Sequence, residues 1–149
     1  MTERQRLIAR KQAMQAAKNK VRKLEGIQVL DLFERETNIP LNEAYRKGCS
    51  AICSYSQLPH SRLPHGSSAS QIAVWILQTM DLQEGYEYFY EIGSVWARIK
   101  IFNLPSAVPS LWEAGHYGFL LIDTDFSQIQ IAGFDSRDED HYLIDIIKL

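Results

Sequence analysis

Cysteine is scarce in this 149-residue chain, with Cys49 and Cys53 the only two. That count excludes a disulfide framework and fits a reducing compartment. Long apolar runs are missing as well, and nothing approaches the ~20 residues that a membrane helix needs. The N-terminus is charged where a secretory signal would be apolar, and its Arg-rich start lacks the serines of an organelle-targeting peptide. There is no P-loop and no glycine-rich dinucleotide fingerprint. The acidic stretch Asp135-Ser136-Arg137-Asp138-Glu139-Asp140 lacks EF-hand spacing and reads as a solvated loop or acidic contact surface. No repeat of solenoid length is visible. These absences lead to the expectation of a cytoplasmic protein with no cofactor and no membrane association.

The hydrophobic fraction of 46% and charged fraction of 23% are those of a globular chain. The length suffices for one core without staples. Acids are nearly absent from the first 24 residues. Glu3 is the only one there, against Arg4, Arg6, Arg10, Lys11, Lys18, Lys20, Arg22 and Lys23. The segment therefore carries +7, and residues 25–149 carry −9, which sum to the net −2. A basic arm over 1–25 and a single α+β domain over 26–149 are expected. Such asymmetry points to a polyanionic or acidic partner, a protein or a nucleic acid.

Thr2 and Gln5 form a capping box that starts a helix running to about Leu24. Leu7, Met14 and Val21 give it a thin apolar stripe, interrupted by Arg10, so removing it is expected to affect the folded body little. The stripe lacks the Trp or Phe anchors of a membrane-surface helix, and packing on a second copy in a homodimer is an alternative. Ile27 to Glu36 reads as a second helix through Val29, Leu30, Leu32 and Phe33. Pro40 opens a third, which carries Leu41, Ala44, Tyr45, Gly48 and Ile52. Ser54 to Ser70 reads as a loop, and Ser68 and Gln71 cap a helix to about Met80.

Beyond Gly85 the period changes from helix to strand. Gly93-Ser94 suits a two-residue type II′ turn, which sets Ile92 opposite Val95, Tyr90 opposite Ala97, Tyr88 opposite Ile99 and Glu87 opposite Lys100. Asn103 to Gly115, with Pro105 and Pro109, reads as a loop. His116–Asp123 reads as a central strand, and Gln128–Phe134 and Tyr142–Ile147 as two more. The expected fold is α+β, with N-terminal helices packed on a mainly antiparallel sheet of about five strands. Trp75, Trp96 and Trp112 are expected as core or interface anchors.

Four constellations carry candidate chemistry. The eight basic residues of the arm can neutralise phosphates without reading sequence. Residues 30–47 resemble a helix-turn-helix, with Asn42, Arg46 and Lys47 placed to face a groove, although Glu34 stands where that motif has a small residue. Cys49, Cys53, His60 and His65 could complete a tetrahedral zinc site and resemble a distorted zinc knuckle, but they miss its two-residue cysteine spacing. Finally, Cys49 on a helix, His116 opening a strand and Asp135 after the next strand resemble the papain-like peptidases of the NlpC/P60 and CHAP type. That resemblance implies a cysteine nucleophile, a histidine base and a polar orienter. The sequence reading favours a regulatory binding protein that uses its basic helix. A cysteine hydrolase using Cys49, His116 and Asp135 is the alternative, and a zinc-bound module stands third.

Overall fold

The computed structural model describes residues 1–53 and 58–149. The elements are α1 (Glu3–Val21), β1 (Ile27–Glu34), a 3-10 helix (Arg35–Thr37), α2 (Ile39–Cys53), β2 (Ser61–Pro64) and α3 (Ala69–Thr79). They continue as β3 (Glu87–Ile92), β4 (Val95–Ile101), α4 (Leu104–Ala114), β5 (Gly118–Asp123), β6 (Gln128–Gly133) and β7 (His141–Lys148). The strands form one antiparallel sheet in the order β1-β4-β3-β5-β6-β7-β2. One face buries Tyr88, Tyr90, Ala97 and Ile99 beneath residues of α1, α3 and α4. The other buries Phe89, Trp96, Ile122 and Ile129 beneath Leu41 and Ala44 of α2. Alternation along the central strands feeds both cores, so the sheet is the middle of three layers.

Local chemistry sets the ends of these elements. The boxes at Thr2/Gln5 and Ser68/Gln71 are both closed in the expected reciprocal form. The hairpin of β3 and β4 has the expected register at all four pairs. Gly93 supplies the positive φ, +63°, that the first turn position requires. Glu87 faces Lys100 in register, but its carboxylate bonds the diagonal neighbour Arg98 at 2.8 Å. β5 is the central strand, with Phe119, Leu120, Leu121 and Ile122 all buried. Asn38 caps α2 through its side chain, 3.1 Å from the Leu41 amide, and Pro40 lies in the first turn.

The sheet has seven strands where about five were expected. Two additions come from segments read otherwise. Residues 27–34 are the edge strand β1, not a helix. Ile27, Val29 and Leu32 pair with Ile101, Ile99 and Ala97, and the register slips between Val29 and Asp31. That bulge breaks the period-2 pattern and makes Val29, Leu30, Leu32 and Phe33 imitate helical spacing. The helix-turn-helix resemblance fails with it, since its first half is a strand. β2 lies within the expected 54–70 loop, of which residues 54–57 fall outside the described residues. Its Pro64 is tolerated because β2 is an edge.

Residues 104–114 form α4, where a loop was expected. Asn103 accepts from the Ser106 amide, and Pro105 sits in the first turn, where its missing N–H is harmless. Pro109 lies inside the helix and removes one bond, at a cost of roughly 3 kcal/mol. Ala107, Val108, Leu111 and Trp112 are buried on the same helix. At about 1.5–3 kcal/mol for each large side chain, their burial outweighs that loss.

Candidate functional site

The basic helix is two-sided along its length. Residues 1–12 are exposed throughout, whereas Ala17 and Val21 are buried against the sheet and Leu24 packs beside them. The last turns therefore belong to the core, and the first three turns project. Arg10 bonds Glu34 at the end of β1 through two nitrogens, at 2.9 and 3.0 Å. The other seven basic groups, Arg4, Arg6, Lys11, Lys18, Lys20, Arg22 and Lys23, make no ion pair among the described residues.

A second feature lies where the 3-10 helix meets α2. A cleft of about 450 Å³ is lined by Arg35, Asn42, Tyr45, Arg46, Cys49, Ser50 and Cys53. All but Arg35 come from α2, at the i, i+3 and i+4 spacings of one helix face. The helix can lie this close to the sheet because residue 48 is glycine. A Cβ there would stand 2.5 Å from Ile129 Cγ2. The Arg35 guanidinium lies over the Tyr45 ring, and Tyr45 meets Trp96 edge-on at 5.5 Å. Glu91 of β3 interacts with both Tyr45 and Arg35. Burial pushes its carboxyl up, against the lowering effects of the Tyr45 hydroxyl and Arg35. Burial also pushes the Cys49 thiol up, despite the Tyr45 hydroxyl. A thiol held toward its neutral form is the opposite of an activated nucleophile.

The proposed triad residues are not brought together. Gly48, next to Cys49, packs on Ile129 at the start of β6. His116 and Asp135 lie beyond the far ends of β5 and β6, about four residues of strand or ~13 Å along the sheet. His116 also follows α4, which covers the opposite face from α2. The Asp135 carboxylate is held by Arg137 at 2.9 Å, and Arg137 also reaches the buried Asp145. Among the described residues, no histidine lines the cleft that holds Cys49.

The zinc candidates are likewise dispersed. Cys49 and Cys53 are free thiols on α2. His60 precedes β2, and His65 follows it, stacked on Phe134 at 4.7 Å and tilted against Tyr142 at 4.4 Å. No group of three His, Cys, Asp or Glu able to hold a metal occurs among the described residues. Among those residues no helix is long and apolar enough to cross a membrane. Arg46 and Lys47, read as groove-facing residues, are exposed on α2.

Sequence reasoning missed the association of Arg35, Tyr45 and Glu91. They come from three elements, and the misread β1 hid where Arg35 would fall. The usable signal was the helical spacing of Asn42, Tyr45, Arg46, Cys49 and Ser50. Compared with known families, characterised proteins and solved structures, the chain matches none.

Proposed function

We propose that this chain is a non-enzymatic cytoplasmic binding protein with a regulatory or adaptor role, and that α1 engages an acidic partner, a protein or a nucleic acid. The observation that carries the reading is the set of seven basic groups without an ion pair among the described residues, three of them on turns where every residue is exposed. Unpaired guanidinium and ammonium groups on a projecting helix are free to neutralise phosphates or carboxylates. Leu7 and Ile8, 49% and 45% exposed, add apolar contact on the same turns and suit a protein partner or a second copy.

The test replaces Arg4, Arg6 and Lys11 by glutamine, leaving Ala17 and Val21 in place. Binding to DNA, RNA and an acidic protein is then measured across a salt series. Binding should weaken as salt rises, and the salt slope should shrink by roughly 0.7–0.9 for each phosphate that the variant no longer neutralises. Unchanged affinity in the triple variant removes the arm from the reading. A full-length chain that ignores DNA and RNA even at low salt leaves an acidic protein as the partner.

A further inference from the structure

We propose that the cleft between the 3-10 helix and α2 binds a small phosphate monoester, its phosphate held between Arg35 and Arg46 and its organic group resting over Cys49. No residue of the arm lines this cleft, although Arg35 also borders a smaller one with Arg10 of α1. Three observations carry the proposal. First, Arg35 and Arg46 line the same cleft, and neither makes an ion pair or side-chain hydrogen bond among the described residues. Glu34 and Glu36 flank Arg35 in sequence, and Glu91 feels its charge, yet Glu34 is taken by Arg10 and burial pushes the Glu91 carboxyl up, toward its neutral form.

Second, Arg35 is already positioned. Its backbone amide donates to Ser94 O at 2.9 Å, and its guanidinium lies 4.0 Å from the Tyr45 ring centroid. A guanidinium held over an aromatic face, with no side-chain hydrogen bond of its own, still has N–H donors for an oxyanion and gives up little freedom when one arrives. Third, the cleft has both chemistries that such a ligand needs. Ser50 brings a hydroxyl to the same lining as the two arginines, and Cys49 and Tyr45 bring apolar surface. Lys47 and Glu43 line an adjoining cleft shared with Arg46 and Ser50, and their charges cancel there.

Donor count favours phosphate over carboxylate, since two planar forks and a hydroxyl exceed what two carboxylate oxygens use. At about 450 Å³ the space is of small-molecule size, which a bare phosphate would leave mostly unfilled. The neutral Cys49 thiol takes no covalent part.

The experiment titrates the full chain with phenyl phosphate, following backbone amide shifts by NMR and thermal unfolding. Saturable binding is expected, with shifts centred on 35 and 42–50. Inorganic phosphate and benzoate should each bind more weakly, and phenol not at all. Arg46→Gln and Arg35→Gln should each weaken binding on the order of tenfold or more. Arg46 and Ser50 are exposed, so Arg46→Gln and Ser50→Glu keep the fold, and Ser50→Glu should repel the anion. The Arg4, Arg6, Lys11 triple glutamine variant should bind phenyl phosphate as the parent does. The proposal is overturned if binding does not saturate, if it survives both Arg46→Gln and Ser50→Glu, if benzoate or phenol binds equally well, or if the arm variant abolishes it. Inorganic phosphate binding as tightly as phenyl phosphate overturns the role given to the organic group.

Discussion

The Arg35 guanidinium sits 4.0 Å from the centroid of the Tyr45 ring, which joins the end of β1 to α2. The same ring meets the fully buried Trp96 edge-on, so one side chain couples the rim of the cleft to the core. A cation over an aromatic face at a partly exposed site contributes about 0.5–1 kcal/mol. Arg35→Ala should therefore destabilise by about that much. Tyr45→Phe keeps the ring and should change stability by less than ~1 kcal/mol, while Tyr45→Ala removes the ring from both Arg35 and Trp96 and should destabilise by about 1–3 kcal/mol. A double-mutant cycle by urea unfolding checks the pair, and a coupling near zero would show that the stacking is incidental.

Gly48 fixes how closely α2 approaches β6. In Gly48→Ala the new methyl would meet Ile129 Cγ2 at 2.5 Å and Cδ1 at 2.9 Å. Overpacking of this kind destabilises by about 1–3 kcal/mol, offset in part by the ~1 kcal/mol helix preference of alanine. A net loss is expected. Ile129→Ala alone leaves a cavity and should destabilise by about 2–5 kcal/mol. In the double variant the alanine methyl occupies part of that cavity, so the loss should be smaller than the sum of the single losses. Strict additivity would mean that the helix simply moves away.

How much of this fold the sequence disclosed follows from how local each signal was. The hairpin was legible because Gly93-Ser94, the alternation of Tyr88, Tyr90, Ala97 and Ile99, and the opposed charges all act over 15 residues. The capping boxes were legible for the same reason. β1 was misread because its bulge at Leu30 shifts the apolar phase, and α4 because Pro105 and Pro109 outweighed its apolar spacing. Charge marked the basic helix as a candidate, but only the structure separates its exposed turns from the buried Ala17 and Val21. The cleft was invisible because Arg35 and Tyr45 meet only once β1 is recognised as an edge strand and α2 is laid on the sheet.

The two thiols should differ in reactivity in a way that tests the hydrolase reading. Cys53 is exposed, while Cys49 is half-buried and its thiol is pushed up by burial. Iodoacetamide near neutral pH should therefore label Cys53 before Cys49, as followed by mass spectrometry of the intact chain and its peptides. His116→Ala should leave the Cys49 rate unchanged, and Cys49→Ala should leave partner binding intact. Rapid, selective labelling of Cys49 that disappears in His116→Ala would restore the nucleophile and base.

Two carboxylates should respond to pH in opposite senses. For Glu91, burial pushes the folded-state pKa up, and the Tyr45 hydroxyl and Arg35 only partly oppose it. Between the ordinary Glu value of about 4.3 and that raised value, the folded chain holds more protons than the unfolded one. Stability therefore falls as pH rises through this window, and the penalty is fully present above it. Glu91→Gln removes the penalty, so the variant should be more stable than the parent at pH 7, with the two converging as pH approaches 4. For Asp135, burial pushes up, but the hydrogen bonds and charge of Arg137 outweigh it and hold the carboxyl below its ordinary range. Its contribution is complete above the ordinary Asp value of about 3.9 and is lost as pH falls through the lower folded value. Asp135→Asn should therefore be less stable than the parent at pH 7, and the gap should close only in stronger acid. Urea unfolding of both variants from pH 3 to 7 reads the signs directly. A Glu91→Gln chain less stable than the parent at neutral pH would mean that attraction to Arg35 outweighs desolvation. Glu91 would then act as the stabilising partner of Arg35.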